Sequence, residues 1–340
     1  MKKFVGFGDF LVRLNPTGYQ RFIQALNFEV NYTGAEANVC VSLAMMGVET
    51  EFVTRIPDND IAYSGIATMR KYDVGTRHIK RGGDRMGLIY VEKGASQRPS
   101  KVVYDRKFTS FAASSADDYD WDVIFRGAGN FHITGITPAL GVNLPAICEE
   151  ACRAAQSKKI TVSCDLNYRK NLWSCEEARS AMERILPYVD ILIANEEDAE
   201  KVLGIRSDGT DVNAGIINHH GYSEVAAQIH EKYGISTIAT TLRRSISASD
   251  NEWTAMLYSN GESYFSRTYP IHLVDRIGGG DSFAAGLLYA LMNNYDEQRA
   301  IEYAAAASCL KQTIEQDFNL CGCSEIEALA AGDCTGRVQR

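Results

Sequence analysis

Residues 275–286 read DRIGGGDSFAAG. Three consecutive glycines, Gly278, Gly279 and Gly280, stand before an apolar segment that is typical of a helix from Phe283 to Met292. Glycine lets the backbone turn sharply and approach a ligand closely. The first N–H groups of a helix have no intrahelical partner and point outward. Together these two features predict an anion hole that holds a phosphate group.

A carboxylate follows the glycines at once. Asp281 beside an anion hole indicates phosphoryl transfer, because that reaction needs a base for the acceptor hydroxyl next to donors that stabilise the transferring group. The alternative interpretation is a loop before a helix, with Asp281 as an acid that caps the helix N-terminus. Two other nucleotide motifs are missing from the sequence: GxxxxGK[ST] does not occur, and Gly6-x-Gly8-x-x-Leu11 lacks the third glycine of the dinucleotide fingerprint.

The composition excludes several classes of protein. Of 340 residues, 45% are hydrophobic and 23% are charged, which is ordinary for a globular chain and rules out a disordered protein, a collagen or a coiled coil. The net charge of −8 disfavours nucleic acid as a partner, because phosphate neutralisation drives that binding. No apolar run of about 18 residues is present, so we expect no membrane partner. Nine cysteines without a CxxC pair predict reduced thiols in a cytoplasmic protein.

Strand-like and helix-like segments alternate along the chain, which predicts a mostly parallel sheet with helices on both faces. We expect a single domain over residues 1–340, with a small β lid from about 11–35 and 87–112, and the polar segment 205–222 as a surface insertion. The predicted strands are 3–8, 50–56, 129–134, 160–165, 189–193 and 236–241, with a lid hairpin of 86–91 and 101–105. The predicted helices are 35–47, 61–72, 139–156, 175–186, 195–203, 281–293 and 297–313.

Three motifs resemble those of the ribokinase-like (PfkB) sugar kinases. Residues 275–286 are similar to the family signature DTxGAGD, with Arg276 in place of Thr. Residues 34–38, GAEAN, are similar to its sugar-binding GGxxxN, and residues 195–198, NEED, to its NxxE motif, with Asp198 in place of Glu. The resemblance covers nearly the whole chain. It implies a ribokinase-like three-layer α/β fold with a β lid, ATP as phosphoryl donor, Mg²⁺, and a homodimer through the lid.

Within that family the chain is most similar to the kinases of 2-keto-3-deoxygluconate, a sugar acid. Three segments carry this similarity: TGAEANV at 33–39, VYDR at 103–106 and CDLNYRKNLW at 164–173, and the ending at 311–319 is also similar. The resemblance implies phosphorylation of that sugar acid at its 6-hydroxyl. A kinase for another sugar, such as fructose or ribose, and a sugar-binding protein without catalysis stay open as alternatives. Asp281 argues against the second, since a binding protein has no need of a base.

Charge supports a sugar acid independently of the resemblance. The planar fork of arginine is the best partner for a carboxylate, and a neutral sugar needs no such partner. Arg169 follows the strand-like ITVSCD, at the carboxyl end where open α/β sheets bind ligands. Arg106 stands on the lid hairpin. The alternative for either arginine is a surface salt bridge.

The resemblance implies a role for each candidate residue. Asp281 is the base, and Gly278, Gly279 and Gly280 hold the charge of the transferring group. The alternative for Asp9 is a turn-forming role. The alternative for Tyr90 and Tyr104 is packing within the lid. The implied substrate-binding residues are Asp9, Gly34, Ala35, Asn38, Tyr90, Tyr104, Arg106, Asn167, Arg169 and Asp281. The implied nucleotide-binding residues are Asn167, Arg169, Asn195, Thr241, Arg243, Ser245, Gly278 and Gly280, with Asn195 and Asp198 near Mg²⁺ through water.

Overall fold

The strands of the protein form two β-sheets. The computed structural model describes residues 2–206, 219–334 and 336. Most of the segment 205–222, the predicted surface insertion, lies outside the described residues. The strands are β1 (Lys3–Phe7), β2 (Leu11–Asn15), β3 (Glu29–Thr33), β4 (Thr50–Ile56), β5 (Val74–Gly75), β6 (Ile79–Arg81), β7 (Gly87–Glu92), β8 (Lys101–Asp105), β9 (Ala128–Thr134), β10 (Thr161–Asp165), β11 (Ile191–Ala194), β12 (Thr237–Ser245), β13 (Asp250–Ser259), β14 (Glu262–Phe265) and β15 (Tyr269–His272).

Helices connect most of these strands. They are α1 (Ala35–Met45), α2 (Asp60–Lys71), α3 (Trp121–Ile124), α4 (Leu144–Ser157), α5 (Cys175–Ile185), α6 (Glu196–Asp198), α7 (His219–Tyr233), α8 (Gly279–Met292), α9 (Glu297–Lys311) and α10 (Cys323–Ala330). A π-helical turn, Ala199–Leu203, continues α6. Across the described ranges, no helix combines the length and the apolar character needed to cross a bilayer.

The larger sheet sets the position of the site. Among the described residues its order is β14-β13-β12-β11-β10-β9-β1-β4-β5, with β15 paired to β13 and β6 to β4. The pairs from β4 through β1, β9, β10 and β11 to β12 are parallel, whereas β13 pairs antiparallel with β12, β14 and β15. Parallel strands end at one edge, so the segments that follow β1, β9, β10 and β11 meet there.

Helices pack on both faces of this sheet. One buried core includes residues of α1, α2, α8, α9 and α10, and the other includes residues of α3, α4, α5 and α7. Neighbouring residues of β1 supply the two cores in turn: Phe4 belongs to the first and Val5 to the second. Such alternation follows from the pleat of a strand with two buried faces. The three layers and the mostly parallel sheet confirm the predicted fold class.

A second sheet of four strands has the order β3-β2-β7-β8. Its strands β7 and β8 form the antiparallel hairpin that the sequence predicts. Leu11, Ile89 and Val91 form a small buried cluster with Ile277 of the glycine-rich segment. The second sheet therefore rests on the segment that precedes α8. Its motion as a lid, within a single domain of residues 1–340, stays a prediction.

Parts of the fold differ from the sequence prediction. The helix predicted over 139–156 begins at Leu144, because a 3₁₀ turn at Thr137–Leu140 and an extended Gly141 precede it. The predicted helix over 195–203 is a short turn followed by a π-helical turn. The sequence does not predict the strands β5, β6, β13, β14 and β15 or the helices α3, α7 and α10, and α7 begins within the predicted insertion 205–222. The alternation of strand with helix indicates parallel units, so it gives no sign of an antiparallel extension beyond β12.

Candidate active site

A cleft of about 430 Å³ lies between the second sheet and the carboxyl edge of the larger one. It collects most of the residues that the sequence singles out, although their roles stay predictions. The predicted residues that line it are Asp9, Gly34, Ala35, Asn38, Tyr104, Arg106, Asn167, Arg169, Asn195, Asp198, Thr241, Arg243, Gly278, Gly279, Gly280 and Asp281. Segments up to about 270 residues apart in the sequence thus meet in one place.

The glycine-rich segment forms the turn into α8. Gly278 precedes the first residue of the helix and has a φ of +81°, in the left-handed region that favours glycine. A Cβ there would come within 2.1 Å of the carbonyl oxygen of Asp317. Gly280, by contrast, would carry its Cβ into open space. Because α8 begins at Gly279, the open helix N-terminus lies among the glycines themselves and faces the cleft.

Asp281 lies in the first turn of α8, and its carboxylate reaches across to another helix. Its Oδ2 accepts a hydrogen bond of 2.6 Å from Asn38 Nδ2 of α1. Gly278 rather than Asp281 occupies the capping position of α8, so the geometry disfavours the capping interpretation. Burial raises the pKa of Asp281 to about 6, against the opposing effects of Asn38, Arg169 and Lys311. Asp281 is therefore ionised at neutral pH and can accept a proton.

Two buried polar groups at the lid side of the cleft lack a partner among the described residues. Asp9, after β1, is 5% exposed; its Oδ1 accepts from the N–H of Phe10 at 2.9 Å, whereas its Oδ2 has no partner. Arg106, after β8, is 9% exposed, its Nε has no partner, and its guanidinium stacks 4.2 Å from the ring centre of Tyr104. Unpartnered polar groups of this kind cost free energy. They indicate a ligand with a hydroxyl for Asp9 and an anionic group for Arg106.

Arg169 lies between the lid side and the glycines. It is exposed and hydrogen-bonds only to the carbonyl of Tyr168, at 3.2 Å, within the described residues. Its charge lowers the pKa of Asp198 and of Asp281, and it also lowers that of Arg106. These effects place the guanidinium within electrostatic reach of both sides of the cleft. Arg169 can therefore contact the acceptor, the transferring phosphate or both.

The segment after β11 supplies oxygen atoms suited to a hard cation. Asn195 Oδ1 accepts from the N–H of Asp198 at 2.9 Å, and the carboxylate of Asp198 accepts from the N–H groups of Tyr168 and Asn195. Burial raises the pKa of Asp198 to about 6, and burial together with Asp198 and Asp281 raises that of Asp165 well above its usual range. Converging carboxylates of this kind favour a cation among them. Across the described ranges, no group of three acidic, His or Cys side chains could hold a metal ion.

Two predicted residues, Tyr90 and Ser245, are not among the residues that line the cleft. Ile89 and Tyr104 face each other in the β7–β8 pair and both line the cleft. Tyr90 is the next residue along β7, so its side chain points to the opposite face. There its ring packs against that of Phe28, with the ring centres 6.1 Å apart. Ser245 ends β12, about 13 Å along the strand from Thr241 at the usual rise per residue. The structure thus favours the packing interpretation of Tyr90.

The cleft also contains residues to which the sequence analysis assigned no role. Glu36, inside the GAEAN segment, is 2% exposed, and its Oε1 accepts from Thr134 N, Thr134 Oγ1 and Thr137 Oγ1. Burial raises the pKa of Glu36 to about 7. The other additional lining residues with polar side chains are Thr33, Asp165, Trp253, Arg276, Gln312 and Asp317. Glu36, Asp165 and Asp317 all stand inside quoted motifs, and the signal available in the sequence was an acidic residue within each motif.

Comparison with known proteins decides the family. The model of the pfkB family carbohydrate kinases matches residues 1–316. The protein belongs to this family. This PfkB kinase is a phosphotransferase with an alcohol group as acceptor.

Individual relatives agree with this assignment. The 2-dehydro-3-deoxygluconokinase of Thermotoga maritima, a crystal structure, is 48% identical, with a TM-score of 0.95 over 98% of this chain and 100% of that chain. The 2-dehydro-3-deoxygalactonokinase of Haloferax volcanii is 29% identical over 98% of each chain. An E. coli protein named Ribokinase II, solved with ATP and Mg²⁺, shares the fold at 20% identity, with a TM-score of 0.81 over 97% of this chain and 99% of that chain.

Proposed function

We propose that this PfkB kinase transfers the γ-phosphoryl group of ATP to the 6-hydroxyl of 2-keto-3-deoxygluconate, which is also called 2-dehydro-3-deoxygluconate. The observation that carries the proposal is the buried guanidinium of Arg106, whose Nε has no hydrogen-bond partner and whose charge interacts with Asp9, in the same cleft as Asp281 and the helix N-terminus. A sugar acid has a carboxylate at one end of its chain and a hydroxyl at the other. It can therefore contact Arg106 and Asp281 at once.

The acceptor side of the reaction depends on a few side chains. The carboxylate of the sugar acid pairs with Arg106, and Oδ2 of Asp9 accepts a hydrogen bond from a sugar hydroxyl. Asn38 donates to Oδ2 of Asp281, which fixes the carboxylate and leaves its other oxygen for the 6-hydroxyl. Asp281 then takes the hydroxyl proton as the oxygen attacks the γ-phosphorus and the bond to the leaving ADP oxygen breaks.

The donor side combines backbone amides with cationic side chains. Gly278, Gly279 and Gly280 at the start of α8 hold the charge that builds on the transferring group. Arg169 and Arg243 line the same cleft and add positive charge, and Arg276, which stands where the family has Thr, lies there as well. ATP as the donor is also supported by the E. coli structure that contains it.

Mg²⁺ fits the oxygen donors near β11. Asn195 and Asp198 would hold it through water, and it would neutralise charge on the phosphates.

We expect excess EDTA to abolish ADP release and added Mg²⁺ to restore it, with little change in the midpoint of thermal unfolding. Asp198→Asn should raise the Mg²⁺ concentration needed for half-maximal rate, whereas Asp84→Asn, an exposed carboxylate outside the cleft, should not. Undiminished turnover in EDTA would contradict this prediction.

The names of the relatives support the substrate class. The T. maritima relative is named for the gluconate form and the H. volcanii relative for the galactonate form. These two sugar acids differ in configuration at one carbon and share the carboxylate and the 6-hydroxyl. The higher identity to the gluconate kinase favours the gluconate form here. Comparison of kcat/KM for the two epimers tests that preference, and phosphorus NMR of the product tests the position, because a 6-phosphate couples to the two protons on C6.

Exposed apolar side chains at the second sheet support a homodimer. Ile23 and Leu26, in the connection from β2 to β3, and Val30, on β3, are 95%, 101% and 59% exposed, and exposed apolar surface is typical of an interaction site when it is contiguous. We expect a dimer in sedimentation velocity, and Ile23→Asp with Leu26→Asp should convert it to a monomer. A wild-type chain that sediments as a monomer at micromolar concentration would contradict the proposal.

We also propose a cytoplasmic location, which the nine free cysteines support.

A further inference from the structure

A lysine is buried behind the glycine-rich turn. Lys311, the last residue of α9, is 0% exposed. Its Nζ donates to the carbonyl oxygen of Asp275 at 3.0 Å and to that of Ile314 at 3.4 Å. Burial of an ammonium group is costly unless it serves a partner. The partners here are main-chain carbonyls, so the position of Lys311 bears directly on the path of the backbone.

Lys311 lies among other buried charged groups. Arg13, on β2 and also 0% exposed, pairs with Oδ2 of Asp275 at 2.6 Å and with Oδ1 of Asp317. Asp275 and Asp317 are 5% and 2% exposed. The charge of Lys311 acts on both carboxylates and on that of Asp281. Removal of the Lys311 charge would leave these buried carboxylates with one fewer compensating cation.

The same region anchors both ends of the glycine-rich turn. The carbonyl of Gln312 accepts from the N–H groups of Val274 and Asp275, at 2.9 and 3.3 Å. Ser308 Oγ, one turn before Lys311, donates to the carbonyl of Gly279 at 2.7 Å. The end of α9 thus holds the backbone of the glycine-rich segment at Val274, Asp275 and Gly279. In a trans peptide the N–H of the next residue points away from the carbonyl, so the held carbonyl of Asp275 orients the N–H of Arg276, and the held carbonyl of Gly279 orients that of Gly280.

We infer that Lys311 is a positioning residue, whose ammonium holds the carbonyl of Asp275 and so fixes the start of the segment that leads into the Gly278–Gly280 turn and the helix N-terminus, where the nucleotide phosphates bind. This inference rests on the proposed use of ATP. It does not depend on which sugar accepts the phosphoryl group, because Lys311 does not line the cleft. Lys311 therefore acts on the donor side through the backbone, and its charge also lowers the pKa of Asp281.

The test measures nucleotide binding and kinetics separately. Lys311→Met keeps the length of the side chain and removes the charge. We expect its dissociation constant for Mg-ATP, measured by calorimetry without sugar, to rise about 10- to 100-fold, the range for loss of hydrogen bonds from a charged group. kcat should fall, and KM for the sugar acid should change less than twofold. Lys71→Met, which removes an exposed charge from α2, is the matched control and should leave all three unchanged.

A second variant distinguishes positioning from a packing role. Lys311→Ala opens space for a small amine, so about 50 mM methylammonium should restore part of the Mg-ATP affinity of that variant and none of the Lys311→Met variant. Wild-type affinity in a folded Lys311→Met, or no effect of methylammonium on Lys311→Ala, would overturn the inference. Failure of both variants to fold, with or without the amine, would make Lys311 a folding residue and would overturn it as well. If the wild type binds Mg-ATP but phosphorylates no sugar acid, the proposed function fails while this inference survives.

Discussion

Asp281→Asn is expected to lower kcat about 10²- to 10⁴-fold, the usual contribution of a general base, while the protein stays folded and keeps its affinity for Mg-ATP. Asparagine has nearly the same shape and can still accept a hydrogen bond from Asn38, but it cannot take the proton of the 6-hydroxyl. The glycine-rich turn and the N-terminus of α8 are untouched by the change. Calorimetry with Mg-ATP and steady-state ADP release measure the two effects separately.

The pH dependence gives a second readout for the same residue. Because burial raises the pKa of Asp281 to about 6, the base is ionised above that pH and protonated below it. Wild-type kcat/KM should therefore be full above about pH 7 and fall tenfold per pH unit below about 6. Asp198 has a pKa of about 6 as well and contributes to the same limb through Mg²⁺, so the residual activity of Asp281→Asn should keep only a shallower one. Turnover near that of the wild type would remove Asp281 from the mechanism.

Arg106→Ala is expected to lower kcat/KM for the sugar acid about 10- to 150-fold. A hydrogen bond to a charged group contributes roughly 1.5–3 kcal/mol, and a bidentate pair lies toward the top of that range. Any weak activity with fructose or ribose should change little, since a neutral sugar has no carboxylate for the guanidinium. Arg106→Lys should recover only part of the loss, because an ammonium group cannot form the parallel fork.

Arg169→Ala is the matched comparison on the other side of the cleft. The Arg169 guanidinium acts on Asp198 and Asp281 as well as on Arg106, so its loss should lower kcat/KM for acid and neutral sugars together. The measurement is kcat/KM for both kinds of sugar in wild type and in each variant. Equal losses for both sugars in Arg106→Ala would take away the main physical reason for a sugar-acid substrate.

The local sequence was sufficient to predict those site residues whose chemistry depends on the conformation of the local backbone. The run Gly278–Asp281 predicts an anion hole beside a base, and the structure places that run at the start of α8. Gly34 and Asn38 stand at the start of a predicted helix, and α1 carries Asn38 to within 2.6 Å of Asp281. The run of glycines predicts the turn, and the helical period predicts which residues of α1 share a face.

Residues whose position depends on strand register or on distant partners could not be predicted in the same way. Tyr90 and Tyr104 are both aromatic residues of one hairpin, yet only the pairing of Ile89 with Tyr104 decides which face each occupies. Arg13 and Asp317 form an ion pair across 304 residues, and no local pattern indicates it. The burial that distinguishes Arg106 from the exposed Arg169 likewise appears only after the second sheet has packed on the first.

ADP release with one sugar at a time tests the central claim most directly. The purified protein, with Mg-ATP, is assayed with 2-keto-3-deoxygluconate, fructose and ribose at equal concentrations, with a reaction without sugar as the baseline. The account predicts rapid release with 2-keto-3-deoxygluconate and a kcat/KM at least about tenfold lower with either neutral sugar, as the charged contact to Arg106 requires. Equal or faster release with fructose or ribose, or no release above the baseline with the sugar acid, would contradict it.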